Sequence, residues 1–204
     1  MKTYRVNEIF YSLQGEGYNT GRAAVFVRFA GCNLRCPFCD TEFDAFREMS
    51  AEEILSAVAA FSGTVRQKPM VVLTGGEPTL QVDETLIEHL HDHGYKVAME
   101  SNGTRPAPQN IDWLTVSPKE GAQWLVTHEG KVPDEIKIVF DETTCPESIL
   151  AAAAPLSTPR LYLQPCDTGD AARNKATMQA CVAYIKAHPQ WRLSLQTHKL
   201  IDIE

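Results

Sequence analysis

The chain has no surplus of basic residues: 26 Asp and Glu stand against 19 Lys and Arg, for a net charge of −7. A phosphate backbone calls for a basic surface, so nucleic acid is not expected as a partner. No apolar run approaches bilayer length, so no membrane span is expected. The opening MKTYRVNEIF has the pattern of neither a signal nor a transit peptide. The expectation is a cytoplasmic protein. Internal repeats, linkers and low-complexity tracts are missing too. The 204 residues, 44% hydrophobic and 22% charged, suit a single domain over 1–204 with a substantial core. Six cysteines without an export segment point to a reducing compartment and argue against a disulfide framework.

Short apolar runs alternate with helical patterns. Val25–Phe29, Met70–Thr74, Lys96–Glu100, Trp113–Val116, Glu135–Phe140, Leu161–Gln164 and Arg192–Gln196 read as strands, with another near Arg5–Phe10. A helix starts at Ser50, where Ser50 and Glu53 make a capping box ahead of an apolar face of Ile54, Leu55, Val58 and Phe61. Val82–His93, Pro146–Ala153 and Asp170–Ala187 are further helices, the last with Met178, Cys181, Val182 and Ile185 at core spacing. This alternation implies right-handed βαβ units and a mostly parallel sheet. The crossings Asn102–Asp112 and Lys119–Asp134 are too broken by Gly and Pro for full helices. The fold class expected is therefore α/β, an incomplete, partly open βα barrel. The cysteine loop, TGGEP, ESNG, SPK, QPCD and QTHK each directly follow a strand. A parallel barrel gathers such ends on one face.

The segment Gly31–Asp40 reads GCNLRCPFCD, so Cys32, Cys36 and Cys39 are spaced C-x3-C-x2-C. A structural zinc site needs a fourth ligand nearby, but Cys145, Cys166 and Cys181 are distant and the nearest histidine is His89. Ferredoxin runs have another spacing and a fourth cysteine. Three thiolates alone suit a 4Fe–4S cluster with one iron left open.

This spacing resembles that of the radical S-adenosylmethionine (SAM) enzymes, and Gly75–Pro78 (GGEP) resembles their second signature. The resemblance implies that the open iron chelates SAM and that the reduced cluster splits it to a 5′-deoxyadenosyl radical. A bare glycine backbone at GGEP would approach the SAM amino group, where a Cβ would obstruct it. LQGEG (Leu13–Gly17), CDT (Cys39–Thr41), SPK (Ser117–Lys119) and QPCD (Gln164–Asp167) narrow the likeness. From about Asn7 to Lys199 the chain resembles the 7-carboxy-7-deazaguanine synthases of queuosine biosynthesis. That family is a carbon–nitrogen lyase type. It converts 6-carboxy-5,6,7,8-tetrahydropterin to 7-carboxy-7-deazaguanine with loss of ammonia, regenerates SAM and requires Mg²⁺. The resemblance further implies a homodimer and a flavodoxin or ferredoxin-type reductant.

Residue roles follow from the same resemblance. Cys32, Cys36 and Cys39 ligate the cluster, and Thr41 is the Mg²⁺ ligand, or else a turn hydroxyl. Phe38, Gly76, Ser117, Pro118, Lys119, Gln164, Pro165, Cys166 and Asp167 hold SAM, with Phe38 packing by its adenine or shielding the cluster. Leu13, Gln14, Gly15, Arg28, Thr74 and His198 contact the substrate. An amide such as Gln14 both donates and accepts, which matches a pterin edge. Glu16 accepts from the exocyclic amine or stays solvated. Glu100 binds polar groups of substrate or SAM, or serves the Ser-Asn-Gly turn. Alternation puts Arg28 on the face of Phe26 and Ala30, opposite Val25, Val27 and Phe29. A charge there needs a partner, either the substrate carboxylate or an internal acid. His198 would bond substrate with help from the terminal carboxylate of Glu204. His89, His91 and His93 read as a solvated helix end, while His128 and His188 carry no signal. The loop Glu42–Met49 offers no further function.

Two other functions share parts of the pattern. A glycyl-radical activase uses the same cysteine spacing but acts on a protein. An iron–sulfur electron carrier needs no SAM site, and GGEP together with the polar strand ends argues against it.

Overall fold

The computed structural model describes residues 2–39, 41–42, 44–62, 67–119, 130–152 and 160–203. Nine strands form one sheet in the order β3-β1-β2-β4-β5-β6-β7-β8-β9. They are β1 (Thr3–Leu13), β2 (Ala23–Phe29), β3 (Arg47–Ser50), β4 (Met70–Gly75), β5 (Val97–Ser101), β6 (Trp113–Val116), β7 (Glu135–Phe140), β8 (Leu161–Pro165) and β9 (Trp191–Leu193). β2 and β4 to β9 run parallel, and β1 and β3 add antiparallel at one edge. The sheet curls without closing, as the partial barrel predicted. The helices are α1 (Ala51–Ser62), α2 (Glu84–Asp92), α3 (Pro146–Ala152), α4 (Ala171–Ala187) and the short α5 (Thr197–Leu200). None is long and apolar enough to cross a membrane among the described residues.

Local chemistry accounts for the boundaries. The capping box forms: Ser50 N donates to Glu53 at 2.7 Å and Glu53 N to the Ser50 hydroxyl at 3.3 Å. Asp83 caps α2 and Asp170 caps α4 by accepting from Leu86 N and Arg173 N. Asn102–Asp112 carries no helix, as its Gly and Pro dictate. Most of the Lys119–Asp134 crossing, with His128, lies outside the described residues, as do Asp40 and Glu204.

The sheet separates two kinds of interior. On its outer face, Val25, Val27, Phe29, Val71 and Leu73 pack against Ile54, Leu55, Val58, Leu86 and Leu90 of α1 and α2. A second outer core joins Ile136, Ile138, Leu163 and Trp191 to Ile149 of α3 and Cys181 of α4. On the inner face, Ala24, Met70, Val72 and Ala98, with Phe26 and Trp113, fill the end where the parallel strands begin. The other end of the inner face is left for polar groups.

Four expectations need correction. β3 went unpredicted: REMS is a short edge strand whose one buried side chain, Met49, gives little signal. Phe61 is 42% exposed and stacks on Tyr11 instead of joining the core. Val182 is 38% exposed, because the buried stripe of α4 runs through Thr177 and Cys181. The last strand is Trp191–Leu193 and not Arg192–Gln196. Its pairing ends when Ser194 N donates to Leu163 O, and Thr197 N then turns to Gly15 O at 3.0 Å. QTHK therefore opens α5 and does not directly follow a strand.

Candidate active site

A cavity of about 960 Å³ opens at the C-terminal ends of the parallel strands. Its wall includes Leu13, Gln14 and Gly15 after β1; Arg28 and Thr74 on paired strands; Cys32, Cys36, Phe38, Cys39 and Thr41 of the cysteine loop; and Gly76. Ser117, Lys119, Gln164, Pro165, Cys166, Asp167 and His198 complete it from the other side. Of the residues expected at the site, Pro118 alone is absent from the wall, being buried behind it.

The cysteine wall is assembled by backbone. Gly76 N donates to Phe29 O at 3.0 Å, and Glu77 N to Gly31 O at 2.9 Å. A Cβ on Gly76 would overlap the Gly31 carbonyl, and one on Gly75, which has φ of +121°, would overlap Phe29 backbone. Here the glycine requirement comes from the cysteine loop itself, a reason additional to the expected approach of SAM. Glu77 is fully buried and works as a clamp. It accepts from Thr79 N and Oγ1, from the Ser101 hydroxyl at 2.9 Å and from Asn102 N at 2.7 Å. This ties GGEP to the end of β5, so Ser101 and Asn102 serve the turn.

The thiols of Cys32, Cys36 and Cys39 share this wall, with Cys39 exposed. Burial pushes the Cys32 thiol up, against a 3.4 Å hydrogen bond from Leu34 N, and the charges of Glu77, Cys36 and Cys39 add to the rise. Burial also raises Cys36, partly offset by the Lys119 ammonium. Among the described residues no three ligand side chains already converge on one point. Cluster binding would draw the loop together. The donor set fits a cluster with one open iron: the remaining cysteines include Cys181 in the α4 core and Cys145, exposed beside Ser148. Lys119 lies over the Phe38 ring at 5.6 Å and donates to Ser117 Oγ at 2.6 Å. Burial, then repulsion from Lys137, holds its ammonium below the usual lysine range.

The opposite wall is built from side chains. Lys137, pointing inward from β7, pairs with Glu16, and the two side chains are only 6% and 14% exposed. The other Glu16 oxygen accepts from Gln164 and Gln196, each at 3.0 Å. Burial pushes the Glu16 carboxyl up, but the Lys137 charge and the hydrogen bonds from Lys137 and Gln196 outweigh it, so the net shift is downward. Lys137 moves up, because Glu16, Glu100 and Glu135 together overcome its burial. Gln14 donates to Glu100 at 2.9 Å and accepts from Glu16 N at 3.0 Å, so both ends of its amide already have protein partners. Gly15 receives Thr197 N and Oγ1 on its carbonyl, and a Cβ on it would overlap the His198 ring.

Arg28 faces the cavity side as alternation required, and its internal acid is Glu8 on β1, at 2.6 Å. Arg28 Nη1 also lies 3.5 Å from the Thr41 hydroxyl. The Asp167 carboxylate receives Gly169 N, Asn174 and, at 3.0 Å, Lys199, which lowers it to about 2. Its side chain thereby ties the QPCD loop to α5. Three wall residues had no role in the sequence reading: Lys137, Gln196 and Glu8. Lys137 carried a usable signal, since a lone charge inside the apolar run EIKIVF invites the argument applied to Arg28.

Comparison with known proteins adds to this geometry. Residues 26–120 match the Radical SAM superfamily. The chain is 46% identical over 199 residues to the 7-carboxy-7-deazaguanine synthase of Bacteroides thetaiotaomicron, covering 98% of both chains. It is 46% identical over 223 residues to the enzyme of the same name from Nitratidesulfovibrio vulgaris, covering 98% of this chain and 99% of that one. The crystal structure of QueE from Escherichia coli superposes with a TM-score of 0.74 at 30% identity, over 95% of this chain and 93% of that chain.

Proposed function

The chain belongs to the 7-carboxy-7-deazaguanine synthase family, and from that premise we propose that it converts 6-carboxy-5,6,7,8-tetrahydropterin to 7-carboxy-7-deazaguanine with loss of ammonia. The observation that carries this reading is the division of one cavity into a cysteine wall and a polar wall of the LQGEG and β7–β9 segments, facing each other. The first offers the ligands of a cluster, the second the donors and acceptors of a pterin. When bound, the reduced cluster and SAM supply the radical that removes a hydrogen atom from substrate.

The remaining work belongs to the chain's own groups. Cys32, Cys36 and Cys39 hold the cluster as thiolates, and the strand-end segments enclose SAM and keep bulk water from the reacting carbon. Glu16, kept ionised by Lys137, and Glu100, oriented by Gln14, are fixed acceptors for the donor edge of a pterin. Arg28 and Thr41 stand together where a substrate carboxylate belongs. The guanidinium neutralises it, and the Thr41 hydroxyl is a hard oxygen ligand for a Mg²⁺ that shares it. Thr74, opposite Arg28 in the sheet register, lines the same side. The protein works as a single cytoplasmic domain, in a homodimer, and takes electrons from a flavodoxin or ferredoxin-type donor.

The test is anaerobic incubation of reconstituted protein with dithionite, SAM, Mg²⁺ and 6-carboxytetrahydropterin, followed by mass spectrometry. Formation of 7-carboxy-7-deazaguanine, abolished by Cys36→Ala, is expected. Cleavage of SAM without that product would remove the pterin reading and leave the activase. Absence of both would favour the electron carrier.

A further inference from the structure

We propose that Asn102 raises the reduction potential of the cluster by donating an amide N–H to the sulfur of Cys32. The proposal rests on Cys32, Cys36 and Cys39 being the cluster ligands. The orientation of the Asn102 amide is settled by its neighbours. Its Oδ1 accepts from Thr104 N at 3.0 Å and from Thr104 Oγ1 at 2.7 Å. A backbone N–H can only donate, so the oxygen must face Thr104 and the nitrogen must face the other way. Nδ2 then has two hydrogens and two acceptors: Asn33 Oδ1 at 3.0 Å and Cys32 Sγ at 3.9 Å. Asn33 Nδ2 donates in turn to Thr104 Oγ1 at 2.8 Å, which closes a ring of three side chains. The ring is fixed to the fold through Asn102 N, held by the buried Glu77 carboxylate.

The three ligand sulfurs are thus in unequal surroundings. Cys32 has two N–H donors, from Leu34 and Asn102, while Cys36 has the nearby charge of Lys119. Reduction adds negative charge that spreads onto the sulfurs. An N–H donor stabilises the reduced cluster more than the oxidised one, and the potential rises. Nothing in the proposed chemistry assigns Asn102 this positioning task, since the turn it occupies would form with any residue whose backbone N–H reaches Glu77.

Potentiometric titration of the reconstituted protein, followed by electron paramagnetic resonance, tests the idea. At the wild-type midpoint the Asn102→Ala protein should show a reduced-to-oxidised ratio about tenfold lower, a shift of about 59 mV for one electron. Asn102→Asp keeps the shape and the Thr104 contacts but replaces the donor by a negative group, so it should shift further in the same direction. Asn33→Ala breaks the ring yet leaves the N–H toward Cys32, and its midpoint should stay close to wild type. Unchanged midpoints in both Asn102 variants, with full iron and sulfide content and an intact spectral response to SAM, would overturn the proposal. So would an Asn33→Ala shift as large as that of Asn102→Ala, which would mean general loosening of the loop. Failure of the wild-type protein to bind any cluster is a separate outcome: it would remove the ligand assignment beneath the proposal.

Discussion

On the cysteine side of the cavity, backbone meets backbone. Gly31, Phe29 and Gly76 approach so closely that no Cβ fits at Gly76, and hydrogen bonds between main chains complete the contact. On the other side, β7, β8 and the segment before α5 never touch the LQGEG loop so tightly. They reach it through Lys137, Gln164 and Gln196, which converge on Glu16. A wall of close-packed backbone is intolerant of added volume and indifferent to proton concentration. A wall of buried charge tolerates small changes of shape but not the loss of one partner, nor protonation. The first arrangement suits a loop that must gather metal ligands at fixed places; the second supplies aligned donors and acceptors for a polar heterocycle.

The largest expected effect breaks the second wall. Lys137→Met keeps the length of the side chain but leaves Glu16 buried without its cation. Breaking a buried pair costs about 3–5 kcal/mol, which for a chain of this size is a fall in Tm of about 10 °C. Thermal unfolding at neutral pH checks it, and a fall of less than about 3 °C would mean that Gln164 and Gln196 hold Glu16 by themselves. Gly76→Ala breaks the first wall. Forcing a methyl group against the Gly31 carbonyl costs about 1–3 kcal/mol, and the strain falls on the cysteine loop. Iron bound after reconstitution should drop more than Tm does.

Acid sharpens the contrast. The folded pKa of Glu16 is lowered, so its contribution to stability is complete above its usual value of 4.5 and is lost as pH falls through the folded value. In Lys137→Met the sign reverses. Burial without a cation raises the folded pKa above the unfolded one, so protonation on acidification relieves the variant. The Tm difference between wild type and Lys137→Met should therefore shrink between pH 8 and pH 5, whereas that for Gly76→Ala should stay constant. Parallel curves for both variants would show that Glu16 does not titrate as the ion pair requires.

The two walls also differ in how far the sequence revealed them. Cysteine spacing and paired glycines are local patterns, and their chemistry was legible because ligand and turn requirements act over a few residues. The parallel strands and the sharing of one face by their ends followed from alternation. The Glu16 network joins residues more than a hundred positions apart, so no local period marks it. Lys137 hid inside an apolar strand, and Gln196 was read as strand because a three-residue β9 gives too short a period to end correctly. Phe61 and Val182 satisfied helical spacing yet lie at the margin of the covered stripe, where spacing alone does not decide burial.

The smallest effect separates position from stability. Asp167 and Lys199 join the QPCD loop to α5 at 3.0 Å, with both side chains about a third exposed. An exposed pair contributes about 1 kcal/mol or less. Asp167→Asn should move Tm by no more than about 3 °C, and only above pH 4, since the carboxylate pKa of about 2 means its contribution fades as acid drives it from its usual 3.8 toward that value. Amide exchange from Thr197 to Ile203 should nonetheless quicken, because the lost contact is one of few that pin α5 beyond its first turn. His198 rests on Gly15 within that segment, so substrate KM should rise while SAM cleavage in the absence of substrate holds steady. Unaltered exchange would assign the whole docking of α5 to Thr197 on the Gly15 carbonyl and Gln196 on Glu16, making the charge network of the polar wall responsible for its last strand-end segment as well.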